Sequence, residues 1–194
     1  MILNLLVVVL GYLLGSIPTA YLMSRFRRNL DIRDYGVGNM GAANVIRHVG
    51  IWEGLLVGLI DIAKGALTVM VGMALGVSQI WIFTAGATAF LGHNFPIFAG
   101  FRGGKGAATV LGIFLVLAPR ETAVVIGIIG LCFFITRNFS FSIPVSFVFL
   151  PLLIWLFTGS LALVIYSLII VLFMGLRSLP HIKQAFPWTT KSRN

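Results

Sequence analysis

Residues 138–176 read NFSFSIPVSFVFLPLLIWLFTGSLALVIYSLIIVLFMGL, 39 positions without Lys, Arg, Asp or Glu. A bilayer core is crossed by roughly 20 apolar residues in α-helix, so this stretch is long enough for two crossings. Thr158-Gly159-Ser160 lies near its middle and supplies the turn between them. The rest of the chain has the same texture. Residues 1–24 carry no charge, and 65–101 run for 37 residues without one. Of the 194 residues, 59% are hydrophobic and 10% charged, and the mean hydropathy is +1.04. Soluble domains have about 25% charged residues. A soluble globule of this size cannot hide so much apolar surface, and a disordered chain would not contain it. The composition therefore predicts an all-α, polytopic integral membrane protein, since a helix pairs its own backbone groups in lipid.

Seven spans are expected, near residues 1–24, 54–77, 79–92, 106–118 and 122–136, with two more in 138–176. Gly76-Val77-Ser78-Gln79 breaks the long second run, and Pro119-Arg120-Glu121 separates the short fourth and fifth spans. Without those two the count is five. With the N-terminus outside, Arg25, Arg27, Arg28, Arg33, Arg47, Arg102, Lys105, Arg137, Arg177, Lys183, Lys191 and Arg193 fall inside, and only Arg120 falls outside. That bias predicts N-out, C-in, and topology rather than nucleic acid accounts for most of the net charge of +9. The apolar N-terminus lacks a basic n-region and a small-residue cleavage site, so it reads as a retained span. Cys132, the lone cysteine, lies in an apolar run and reads as packing. The pairs Gly11/Gly15, Gly54/Gly58 and Gly72/Gly76 suit close helix packing in one bundle, or a dimer face. A single domain, 1–194, is expected, as monomer or homodimer.

Polar residues concentrate in two inner-side segments. The first runs Tyr35-Gly36-Val37-Gly38-Asn39-Met40-Gly41-Ala42-Ala43-Asn44-Val45-Ile46-Arg47. The second occupies 92–109 and contains Gly92-His93-Asn94-Phe95-Pro96 and Arg102-Gly103-Gly104-Lys105-Gly106-Ala107-Ala108-Thr109. Glycine lets successive backbone N–H groups turn toward one anion, and a helix starting after such a loop adds its positive end. With Lys105 and Arg47 as cations, the pattern points to phosphate capture beside the membrane; the plainer alternative is a pair of tight turns. Gly103-Gly104-Lys105-Gly106 is not a nucleotide P-loop, because it lacks the glycine spacing and follows no strand. Asp61 and Lys64 share one face of a span, where they neutralise each other as structural support. His93 is a candidate base or phosphate donor, or a cap of the turn. His48-x4-Glu53 mimics the His-x4-Asp of acyl-CoA-dependent acyltransferases, but the carboxylate differs and no other element follows. No metal-ligand cluster, nucleophilic triad or CxxC is present, so neither metal nor cofactor is expected.

These motifs resemble the bacterial acyl-phosphate:glycerol-3-phosphate acyltransferase (PlsY) family along essentially the whole chain. The matching residues are Gly15-Ser16-Ile17-Pro18, then Gly36-x-Gly38-Asn39-x-Gly41-Ala42-x-Asn44-x-x-Arg47, then Asp61-x-x-Lys64-Gly65. Gly92-His93-x-Phe95-Pro96-x-Phe98 follows, then Phe101-x-Gly103-Gly104-Lys105-Gly106-x-Ala108-Thr109 and Arg137-x-x-Ser140. The resemblance implies seven spans, cytoplasmic motifs and a bacterial inner-membrane enzyme of phospholipid synthesis. It implies acyl transfer from acyl phosphate to the 1-hydroxyl of sn-glycerol 3-phosphate, with membrane lipid as the surroundings. Lys105, Arg47 and His93 become the catalytic candidates. Gly36, Gly38, Asn39, Gly41, Asn44, Gly103, Gly104, Gly106, Thr109, Ser140, Arg177 and His181 become the candidates for holding substrate and phosphate. The family usually has serine at position 37, threonine at 43 and Arg-His near 177; here stand Val37, Ala43 and Arg177-Ser178. A same-fold relative with an altered acceptor or reduced activity is the alternative reading. A small anion transporter would instead favour repeats and midplane polarity, and no repeat is present.

Overall fold

The structure, a computed structural model, describes residues 1–185, with the side chains of 140 and 179–185 outside the described set. The described residues form ten α-helices and no strand: α1 Ile2–Gly15, α2 Thr19–Arg28, α3 Ala42–His48, α4 Ile51–Ala74, α5 Gln79–Asn94, α6 Ala107–Leu117, α7 Pro119–Thr136, α8 Phe139–Phe147, α9 Leu150–Thr158 and α10 Leu161–Ala185. Helix covers each of the seven expected stretches. Five segments are long and apolar enough to cross a bilayer: Ile2–Arg28, Ile51–Ala74, Pro119–Thr136, Phe141–Thr158 and Leu161–Ser178. Of the two short expected spans, the fifth gains length because Pro119 serves as its first residue, where a missing N–H costs nothing. The other two apolar helices, α5 and α6, have 16 and 11 residues.

The chain divides into two compact units, Met1–Arg120 and Glu121–Asn194. In the first, α1 packs along α5, and α4 packs along α6. Small residues allow these approaches. A Cβ on Gly15 would strike the Ala89 carbonyl, one on Gly65 the Thr109 carbonyl, and one on Gly112 the Ile62 carbonyl. Backbone contact of this kind supplies the dispersion that drives helix association in lipid. The predicted break after α4 is made by Gly76 at φ +66, and α5 begins at Gln79. In the second unit α8 and α9 pack on α10, and Gly159 at φ +63 ends α9 at the predicted turn.

Two features of the first unit position the site. The chain kinks between α1 and α2 at Ser16-Ile17-Pro18, where Pro18 has no N–H to continue the ladder. The kink leaves the Ile17 carbonyl available to a side chain from α4. Beyond α2, a fully buried Ile32 and nearly buried Met40 join Ala20, Val45, Val49 and Val57 in one apolar cluster. That cluster anchors the glycine-rich segment 35–41 from below.

Candidate active site

The first glycine loop is shaped by its own polar side chains. Asp31 accepts the Arg33 backbone N–H and opens a short 3-10 turn, Ile32–Asp34. Gly36 and Gly38 follow at φ +58 and +67, in the left-handed region that favours glycine. Asn44, at the start of α3, donates from Nδ2 to the carbonyls of Ile32, Tyr35 and Asn39 at 3.0–3.1 Å. Asn39 Oδ1 accepts the Gly41 N–H at 3.1 Å. Asn44 thus turns these carbonyls inward and holds the loop's curvature. Arg47 is exposed at the end of α3.

The second glycine loop folds back on the end of α5. The N–H groups of Gly103 and Gly104 donate to the carbonyls of Asn94 and His93 at 3.2 and 3.1 Å. A Cβ on Gly103 would strike those same carbonyls, and one on Gly104 would strike His93 Nε2. Both positions are closed to side chains. Lys105 is half-buried directly ahead of α6, and Gly106 at φ +80 turns the chain into that helix. Thr109, one turn in, is fully buried, and its Oγ1 has no hydrogen-bond partner among the described residues.

The two loops lie against each other. The Met40 N–H donates to the Gly103 carbonyl at 3.5 Å, and Arg33 Nη1 donates to the Ala99 carbonyl at 2.9 Å. Arg33 is itself fixed by Asp31, with Nη2 to Oδ2 at 2.6 Å and Nε to Oδ1 at 2.9 Å, and by the Tyr21 ring 5.0 Å away. This forked guanidinium holds the Asp31 carboxyl at a pKa of about 2, below the ordinary 3.8.

Beside the loops opens a small cleft of about 10 Å³, lined by Ile17, Pro18, Thr19, Met40, Lys64, His93 and Pro96. Its floor is a buried polar cluster. Asp61 Oδ1 lies 2.9 Å from Lys64 Nζ and accepts from Thr19 Oγ1 at 2.6 Å. Lys64 also donates to the Ile17 carbonyl at 3.3 Å, and His93 Nδ1 is 3.7 Å from Asp61 Oδ1. The expected Asp61–Lys64 pair is present, and it reaches further than spacing suggested. Among the described residues no group of His, Cys, Asp and Glu has the makings of a metal site.

Asn39, Gly36, Gly38, Gly41, Asn44, His93, Gly103, Gly104, Lys105, Gly106 and Thr109 all belong to the first unit, around these loops. Ser140 lies in α8, and Arg177 and His181 in α10, in the second unit; the side chains of Ser140 and His181 lie outside the described residues. Ser178 is buried and donates to the Met174 carbonyl at 2.9 Å. Sequence reasoning missed Thr19, Asp31 and Arg33. Asp31-x-Arg33 was a visible signal, an acid and a forked cation just ahead of a glycine loop; Thr19 gave none.

The glycerol-3-phosphate acyltransferase family model matches residues 5–186. A glycerol-3-phosphate acyltransferase of Parasynechococcus marenigrum is 40% identical over 185 residues, covering 95% of this chain and 87% of that protein. Glycerol-3-phosphate acyltransferase 5 of Dehalococcoides mccartyi is 44% identical over 123 residues, 63% of this chain and 53% of that one. The crystal structure of PlsY (YgiH), an integral membrane glycerol 3-phosphate acyltransferase, in its glycerol 3-phosphate form superposes with a TM-score of 0.90 at 26% identity, covering 98% of this chain and 96% of that one. With the family's motifs gathered on adjoining loops at the ends of apolar helices, the chain belongs to the glycerol-3-phosphate acyltransferase family of integral membrane proteins.

Proposed function

We propose that the protein transfers a long-chain acyl group from an acyl phosphate to the 1-hydroxyl of sn-glycerol 3-phosphate. The products are lysophosphatidate and inorganic phosphate. The observation that carries this reading is the pairing of the two glycine loops through Met40–Gly103 and Arg33–Ala99. Each substrate bears a phosphate, and two adjoining anion-binding bends suit two such groups whose reacting atoms must meet.

The acyl phosphate is a mixed anhydride, so its carbonyl is already activated. The hydroxyl oxygen attacks the acyl carbon, the acyl–oxygen bond to phosphate breaks, and the departing phosphate carries the electron pair away. The proton passes to that phosphate or to His93. Lys105, the Gly106 N–H and the positive end of α6 stabilise the charge that develops on the leaving group, on the turn that the Gly103 and Gly104 N–H groups pin to the end of α5. Arg47 and the Asn39 side-chain amide N–H groups hold the acceptor's phosphate on the bend that Gly36, Gly38 and Gly41 shape. Thr109 offers a hydroxyl that has no partner among the described residues at the base of α6. The whole of 1–194 acts as one domain, as monomer or homodimer, in a bacterial inner membrane. The N-terminus is outside and the loops face the cytoplasm, in keeping with the charge bias.

Purified protein given palmitoyl phosphate and glycerol 3-phosphate tests the proposal by phosphate release. Release that requires the acceptor, with lysophosphatidate formed, supports it. Release without the acceptor points to the altered-acceptor reading that Val37 and Ala43 suggest. No release with either substrate refutes acyl-phosphate transfer.

A further inference from the structure

Asp61 is 1% exposed, and its partner Lys64 is 5% exposed. A buried ion pair needs no further explanation when it only balances itself. Here one carboxylate oxygen gathers more than its partner: Oδ1 takes Lys64 Nζ at 2.9 Å, Thr19 Oγ1 at 2.6 Å and faces His93 Nδ1 at 3.7 Å. Three helices, α2, α4 and α5, therefore converge on a single atom.

The ring's other nitrogen looks the opposite way. His93 Nε2 occupies the space that a side chain at position 104 would need. The His93 carbonyl accepts the Gly104 N–H at 3.1 Å, and the next carbonyl, Asn94, accepts the Gly103 N–H at 3.2 Å. The turn that leads into Lys105 and α6 thus rests on His93 through both its main chain and its ring. A carboxylate accepts only, so a neutral His93 ring keeps its proton on the nitrogen facing Asp61 and leaves Nε2 as the acceptor side.

We infer that Asp61 is a positioning residue: with Thr19 and Lys64 it fixes the tautomer and tilt of His93, and through that ring the 103–106 turn that receives a substrate phosphate. The inference rests on the reading of that turn as a phosphate site. Lys64 has the second task of neutralising Asp61 within the apolar bundle, and the Ile17 carbonyl at the α1–α2 kink holds it in place at 3.3 Å.

The experiment combines 15N-histidine NMR of the full chain in lipid nanodiscs with steady-state kinetics on palmitoyl phosphate. Wild-type protein is compared with the double variant Asp61→Leu/Lys64→Met, which removes both charges and leaves no lone buried ion. Ring signals of His93 are assigned by their loss in His93→Gln. In the wild type, Nδ1 is expected to be protonated and Nε2 bare. In the double variant that preference is lost, and KM for palmitoyl phosphate rises about ten-fold while the melting temperature holds. Unchanged 15N signals and unchanged KM would reduce Asp61 and Lys64 to a structural pair and overturn the inference. A raised KM with unchanged 15N signals would overturn it too, because the effect would not pass through His93. Should the double variant fail to fold, Thr19→Val removes one hydrogen bond from Oδ1 and is expected to move both readouts the same way by a smaller step; no movement overturns the inference. A wild-type protein that turns over no acyl phosphate counts against the functional reading, and the 15N comparison still decides whether Asp61 sets the ring.

Discussion

Arg33 Nη1 donates a hydrogen bond to the Ala99 carbonyl at 2.9 Å, joining two loops 66 positions apart in sequence. The same guanidinium grips Asp31 with its other nitrogens, so its direction is fixed before it reaches Ala99. Lysine carries the charge without the fork and cannot hold both partners in that geometry. Arg33→Lys is therefore expected to let the loops part, raising KM for both substrates about ten-fold with a smaller change in kcat. Equal KM values in variant and wild type, measured by phosphate release, would show that the latch does not set the spacing of the two bends.

The same latch has a defined acid limit. The folded-state pKa of Asp31 is about 2, and the ordinary value is 3.8. A depressed carboxyl contributes stability that is fully present above the unfolded value and disappears as pH falls through the folded one. The contribution is thus constant across neutral pH and is lost between about 4 and about 2. Asp31→Asn removes it at every pH. Its melting temperature is expected to lie below wild type at pH 7 and to converge on wild type as the pH approaches 2.

How far the sequence alone reaches depends on the range of the interaction. Breaks at Gly76 and Gly159 were legible because a left-handed turn favours glycine locally. The Asp61–Lys64 pair was legible because i and i+3 share a helix face whatever surrounds them. The break between α8 and α9 was not anticipated, although Pro144 and Pro151 flank it, since the apolar run shows no polar gap there. Nor were the convergence of Thr19 and His93 on Asp61 and the reach of Arg33 to Ala99. Those depend on how α1 packs on α5 and α4 on α6, which small residues permit but do not announce.

Gly104 and Gly100 separate steric closure from backbone freedom. A methyl at Gly104 would strike the His93 ring, whereas Gly100, at φ +64, has open space around its Cβ position. Gly100→Ala carries only the left-handed penalty of about 1 kcal/mol and is expected to remain active. Gly104→Ala must displace the imidazole or the turn and is expected to lower kcat/KM by about 100-fold or more. Similar losses in the two variants would mean that flexibility of the loop, not its fit around His93, is what the glycines supply.

Lys105 stands between the clamp of Gly103 and Gly104 on α5 and the first turn of α6, which Gly106 opens at φ +80. A cation there adds to the helix's positive end, and both act on charge that grows as the acyl–phosphate bond breaks. An interaction that strengthens in the transition state appears in kcat as well as in kcat/KM. Lys105→Ala is accordingly expected to lower kcat by roughly 10²–10³-fold. Lys105→Arg keeps the charge on a longer, planar head and is expected to recover part of the loss. A variant whose kcat is intact and whose KM alone rises would assign Lys105 to holding the ground-state substrate, and would leave the α6 N-terminus to stabilise the leaving phosphate.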